Sequence, residues 1–125
     1  MNQLKGYFSE ERPRVDISIN GFRESGVIVN TSFTGALMLP IKKIEDFGLS
    51  LMGVTVYNTP NGELVPTEVY SGFLDWFGQN RRVSVLSIGV EASFLGMKLL
   101  HHCHLEMAPS ENTLVISNLE SKNST

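Results

Sequence analysis

The sequence predicts an all-β domain with two short helices, and three observations carry that expectation. Apolar residues alternate with polar ones in short runs, as Val15, Ile17 and Ile19 do against Arg14, Asp16 and Ser18, which is the period of a half-buried strand. Turn-forming pairs such as Asn20-Gly21 and Asn61-Gly62 punctuate these runs, because both residue types tolerate positive φ. Helical spacing is confined to two short segments. A length of 125 residues, 42% of them apolar, supports one domain with a modest core. That domain is expected over residues 1–119. Residues 120–125 carry no apolar anchor and are expected to form a disordered tail.

Taken in order, residues 13–20 read as a strand ending in the Asn20-Gly21 turn. Residues 26–29 (Gly-Val-Ile-Val) are apolar on both faces and so belong to the interior. Leu37, Met38 and Leu39 form another apolar run, and Pro40 opens a helix over residues 40–47, since a missing N–H costs nothing in the first turn. Ile41, Ile44 and Phe47 recur at a spacing of three and should face inward, with Lys42, Lys43, Glu45 and Asp46 outward. Gly48 supplies the stop. Residues 54–57 and 64–70 form a hairpin with a polar tip of Asn58, Thr59, Pro60, Asn61, Gly62 and Glu63. A second hairpin joins residues 70–77 to 81–88 through a turn at 78–80. Phe73, Trp76 and Phe77 belong to its core side, and Arg81-Arg82 to a solvated hairpin edge. A second helix runs from Gly96 to about His102. Residues 103–107 and 113–117 close the chain as a hairpin around Pro109, Ser110, Glu111 and Asn112.

Composition excludes several classes of function. Thirteen acidic against 10 basic side chains give a net charge of -3, and no basic stripe interleaved with aromatics exists, so nucleic acid is not an expected partner. No apolar run is long enough for a membrane span. The N-terminal residues lack the apolar stretch of a secretory signal, which points to the cytoplasm, and the matches to glycosylation sequons at Asn30 and Asn123 are then coincidental. Cys103 is alone, which excludes an internal disulfide. His101, His102, Cys103 and His104 are the one possible metal cluster, but adjacent ligands cannot all converge on one ion. They read instead as a helix end, where imidazoles complement exposed carbonyls. No metal site is expected.

Residues 27–40, Val-Ile-Val-Asn-Thr-Ser-Phe-Thr-Gly-Ala-Leu-Met-Leu-Pro, comprise an apolar strand, a small polar turn and a second apolar strand. This segment resembles the active-site loop of the retropepsin-like aspartic proteases, in which an apolar run leads into Asp-Thr/Ser-Gly. Residues 93–100, Ser-Phe-Leu-Gly-Met-Lys-Leu-Leu, resemble the family's later signature, two apolar residues and a glycine before a short helix. The hairpin tip from Asn58 to Glu63 falls where the family places its flap. The likeness runs from about residue 13 to 117 and is nearest to small single-domain bacterial members.

What the resemblance implies is an acid-protease barrel acting as a homodimer on a peptide or protein substrate, with no metal or organic cofactor. Each subunit supplies one copy of the motif, so the cleft lies on the two-fold axis. Two aspartates there share one proton, and the ionised member activates a water. In this chain the aspartate position holds Asn30 and the glycine position holds Ser32. Asparagine keeps the side-chain shape but takes up no proton near neutral pH, so peptidase activity should be lost. Thr31 would brace the two loops across the axis. Phe33, Met38, Tyr57 and Leu86 would line side-chain pockets, and the flap residues Asn58, Thr59, Pro60, Asn61, Gly62 and Glu63 would close over the peptide. Asn30 fits either a deliberate Asp→Asn replacement or a natural pseudoprotease kept as a dimeric peptide-binding or assembly module. A third reading is a small β-barrel without a cleft, which would be monomeric.

Overall fold

The computed structural model describes residues 2–89 and 91–119; the tail expected at residues 120–125 lies outside them. The elements are β1 (Gln3–Ser9), β2 (Arg12–Ile19), β3 (Phe22–Val29), β4 (Leu37–Pro40), α1 (Ile41–Asp46), β5 (Ser50–Asn58), β6 (Leu64–Trp76), β7 (Gln79–Ile88), β8 (Phe94–Leu95), α2 (Met97–Leu100), β9 (Cys103–Ala108) and β10 (Thr113–Asn118). A single 3-10 turn at Pro109–Glu111 separates the last two strands. Among the described residues the strands form one hydrogen-bonded array in the order β5-β6-β7-β4-β8-β3-β2-β1-β10-β9. The class is all-β with two short helices, as the alternation predicts.

The core follows from the alternation. Val15, Ile17 and Ile19 of β2 are buried, while Asp16 and Ser18 between them stay half-buried. Val27, Ile28 and Val29 of β3 are all buried, as befits a strand covered on both faces. Leu37, Leu74, Val85, Leu95 and Ile116 bring β4, β6, β7, β8 and β10 to the same interior.

Several local expectations are corrected. Pro40 ends β4 and caps α1 from outside, with φ -61° and ψ 147°. Ile44 and Phe47 face inward as expected, but Ile41 in the first turn remains 39% exposed. The second helix spans only Met97–Leu100. The β6–β7 turn is tighter than a three-residue connection: Phe77 and Gly78 both take positive φ, 56° and 85°, the form that suits a two-residue hairpin. Trp76 and Phe77 are buried edge to face, 4.8 Å apart. Phe73 is 46% exposed and lies beneath the Arg82 guanidinium, because its side of β6 points away from the core. β4 pairs with β7 only from Val85 to Ile88, so Arg81-Arg82, bonded to Leu74 and Phe73 of β6 alone, keeps a free hairpin edge as expected. β1 is a strand that the apolar pattern does not announce. Its first half pairs with β10 and its second half with β2.

Two polar devices fix how strands meet. Asn20, at φ 50°, exchanges two bonds with Phe73: the Asn20 N–H donates to the Phe73 carbonyl, and the Phe73 N–H donates to Asn20 Oδ1, both at 2.9 Å. Asn20 Nδ2 also donates to the Phe47 carbonyl at 3.2 Å. One side chain thus ties the β2–β3 turn to β6 and to the end of α1. Asp16 sits where the β2–β3 register shifts. It accepts from the Tyr7 hydroxyl at 2.7 Å, the Gly26 N–H at 2.9 Å and Arg23 at 2.6 Å. Burial works against its charge, but the bonds from Tyr7, Gly26 and Arg23 outweigh it and hold the carboxyl below the ordinary carboxylate range.

Asn20→Ala removes these side-chain bonds and places alanine at positive φ, and it is expected to cost about 2 kcal/mol, read from urea unfolding. The depressed Asp16 carboxyl contributes stability that is fully present above the ordinary carboxylate range and lost as pH falls through its lowered folded-state value. Denaturation between pH 7 and pH 3 should therefore show a smaller loss of stability in Asp16→Asn than in the parent chain.

Candidate functional site

The loop between β3 and β4 is built around a crossing. β8 pairs in parallel with the end of β3, Ile28 against Phe94 and Val29 against Leu95. On its other side β8 pairs antiparallel with the start of β4, Leu37 against Leu95 and Met38 against Phe94. The two strands that flank the loop thus lie on either side of one two-residue strand. The Asn30 N–H donates to the Leu95 carbonyl and the Gly96 N–H to the Ala36 carbonyl, each at 2.9 Å, so the loop is clamped at both ends.

Within the loop, Asn30 Oδ1 accepts the Ser32 N–H at 2.9 Å, and the Phe33 N–H donates to the Asn30 carbonyl at 3.2 Å. The side chain of Asn30 therefore closes a tight polar turn and is half-buried, whereas Thr31 and Ser32 are exposed. Among the described residues the Thr31 hydroxyl makes no hydrogen bond, and Ser32 does not adopt positive φ, so a side chain is tolerated where the resemblance implies glycine.

Phe33 turns inward and is 2% exposed. Its ring occupies the space beside Gly35 and Gly96. The Phe33 carbonyl accepts the Met97 N–H at 2.8 Å and the Gly35 carbonyl accepts the Lys98 N–H at 3.1 Å, so the start of α2 is hydrogen-bonded to the loop. Gly96 has φ -118° and ψ -173°, open to any residue; glycine is required by space alone. A Cβ there would overlap the Gly35 carbonyl oxygen and both the ring and the carbonyl of Phe33.

The β5–β6 hairpin reaches the loop through Tyr57, whose ring meets Phe33 edge to face with centroids 6.1 Å apart. Asn58 ends β5 opposite Leu64, and the turn closes with Thr59 N–H donating to the Glu63 carbonyl, Gly62 N–H to the Thr59 carbonyl, and Glu63 N–H to Thr59 Oγ1. Pro60, Asn61 and Gly62 are exposed at the tip, Gly62 at φ 86°. Met38 lies in β4 between Leu86 of β7 and Phe94 of β8 and is 6% exposed. Of the four residues expected to line pockets, Tyr57 and Leu86 are half-buried, and Phe33 and Met38 offer almost no surface in the single chain.

Sequence reasoning missed a buried ionic support. Glu24 of β3 is only 7% exposed, accepts the Ser93 hydroxyl at 2.8 Å, and faces Lys43 of α1 at 3.4 Å. It ties β3 and α1 to the segment leading into β8. Lys43, read as an outward residue, also lies over the Phe47 ring. No local signal marked it, since the equally charged Arg23 beside it is exposed. His101 and His102 stack edge to face at 4.6 Å, while His104 belongs to β9. Among the described residues no group of three His, Cys, Asp or Glu side chains converges as a metal site would require, and no helix is long and apolar enough to cross a membrane.

The fold is that of the retropepsin-like aspartic proteases. The structure of EIAV protease complexed with the inhibitor HBY-793 matches with a TM-score of 0.63 and 18% identity, over 76% of this chain and 90% of that one. The retropepsin-like aspartic protease from Rickettsia conorii matches with a TM-score of 0.66 and 17% identity, over 93% and 90%. No family model matches the sequence, and no curated protein matches it.

Gly96→Ala is expected to destabilise the chain by about 3 kcal/mol, since the added carbon meets backbone on a clamped crossing that cannot give way. Gly21→Ala, an open turn glycine with nothing near its missing Cβ, should cost less, through its positive φ alone. Urea midpoints of the two variants check the ranking.

Proposed function

We propose that the chain is an aspartic-peptidase-type subunit that works as a homodimer on extended peptides, with its hydrolytic step silenced at Asn30. One observation carries this reading: Asn30 ends β3 in a clamped loop, and its Oδ1 accepts the Ser32 N–H. A carboxylate at the same place would accept the same bond, so aspartate fits the loop without rearrangement. The retropepsin-like fold supports the reading.

In such a dimer the two residues at position 30 face one another on the axis. As aspartates they would hold one proton between them. The ionised oxygen would draw a proton from a water as that water attacks the peptide carbonyl, and the protonated partner would donate a hydrogen bond to the carbonyl oxygen. Asparagine supplies a donor through Nδ2 but no base. The chain as written therefore binds peptide and leaves it intact. Backbone pairing of the peptide with the β5–β6 tip is the expected mode of capture, and Thr31, exposed beside Asn30, would brace the facing loop.

The test is cleavage of a mixed peptide library by Asn30→Asp and by the parent chain, from acidic to neutral pH. Asn30→Asp is expected to cut with a bell-shaped profile, at a rate at least about 10²-fold above the parent. Peptide retention without cleavage by either protein would replace hydrolysis by a binding or assembly role for the same cleft. A failure of both to cut or retain peptide would sink the reading.

A further inference from the structure

We infer that the pocket between the end of the Asn30 loop, β7 and α2 is a binding site for a phosphoryl group. The inference goes beyond the peptidase reading and does not depend on it.

The pocket is open, about 400 Å³ in volume, and lined by Thr34, Arg81, Met97, Lys98, His101 and His102. That volume lies in the range of small-ligand sites. Four of the six lining residues are basic and none is acidic. Across the whole chain the balance is the reverse, with 13 acidic against 10 Lys and Arg side chains and a net charge of -3. The concentration of cations is therefore local, and a local field is what draws an anion into a cleft.

These cations also lack counter-charges. Arg14, Arg23, Lys42 and Lys43 each pair with a carboxylate. Among the described residues Arg81 and Lys98 pair with none. Arg81 is the more telling of the two. It stands opposite Leu74 of β6 and two residues before Val83, and both of those side chains are buried. Strand alternation thus puts Arg81 on the inner face of β7, where it is half-buried. Its neighbour Arg82 is on the outer face, over the Phe73 ring. A guanidinium drawn toward the core is costly until an anion meets it.

Backbone bonds hold the walls in place. The Met97 N–H donates to the Phe33 carbonyl at 2.8 Å and the Lys98 N–H to the Gly35 carbonyl at 3.1 Å, which fixes Thr34 beside the start of α2. His101 and His102 follow at the end of α2, their rings edge to face at 4.6 Å. Donor count then selects the ligand. Arginine offers five N–H donors, lysine three, and the Thr34 hydroxyl and each neutral imidazole one more. A carboxylate brings two oxygens and one charge, too little for two fixed cations. A phosphoryl group brings three oxygens and up to two charges.

NMR titration of the full chain with inorganic phosphate, at neutral pH and constant ionic strength, tests this. The His101 and His102 imidazole resonances are expected to shift and saturate. Those of His104, which does not line the pocket, should stay still. Arg81→Gln and Lys98→Gln should each raise the dissociation constant about tenfold. Lys98 is exposed, so its variant keeps the test decisive if Arg81→Gln fails to fold. Arg82→Gln removes the same charge from the outer face and should leave binding unchanged. A phosphoserine peptide and its unphosphorylated form identify the source. Phosphate-dependent binding at least about tenfold tighter than that of inorganic phosphate assigns a phosphorylated polypeptide, and equal affinity assigns free phosphate. Shifts that grow without saturation, shifts shared by His104, or equal weakening by Arg82→Gln overturn the site.

Discussion

The close approach at Gly96 is the constraint on which the rest of the structure depends. The Phe33-to-Gly35 turn lies directly against Gly96, leaving no room for a Cβ. Because it does, Phe33 can bury its ring beside Gly35, the Asn30 N–H can reach Leu95, and α2 can begin by donating to the Phe33 and Gly35 carbonyls. Conventional burial then closes around this contact: Val29, Leu37 and Leu95 are all buried within one crossing. Clamped at both ends by backbone bonds, the loop holds the Asn30 side chain in one place.

Around that contact the chain divides into a packed body and a more open arm. The body runs through β2, β3, β4 and β8 and is closed by β10. The arm, β5 with the first half of β6, exposes Val54, Val56 and Leu64 at 60% or more and meets the loop through Tyr57 on Phe33. The outer part of this arm is bonded to β5 alone from Leu64 to Glu68.

Electrostatic design is sparing but local. Glu24 is buried with Ser93 and Lys43 as partners, and Asp16 is surrounded by Tyr7, Arg23 and Gly26. Neither lies at the loop apex, which holds a neutral amide. Asn30 can complete the turn as a carboxylate would, yet it carries none of the proton chemistry.

Much of this was legible in the sequence. Alternation in residues 13–20, the unbroken apolar run at 27–29, and the Asn20-Gly21 and Asn61-Gly62 turns follow from side-chain period and backbone sterics, which are local properties. The Asn30-Thr31-Ser32 turn between apolar strands, with Leu95-Gly96 later in the chain, placed the loop. The rest needed three dimensions. β1 hides because Gly6 interrupts its apolar alternation, and its two halves pair with different strands. Phe73 and Trp76 both belong to the β6–β7 hairpin and, three residues apart, lie on opposite faces of β6; which of those faces meets the core is set by packing. Phe33 and Met38 lie buried because β8, two residues long and invisible to periodicity, inserts between β3 and β4. Period and turn chemistry are written residue by residue; which strand lies beside which is decided by contacts between residues far apart in the chain, and no local pattern encodes those.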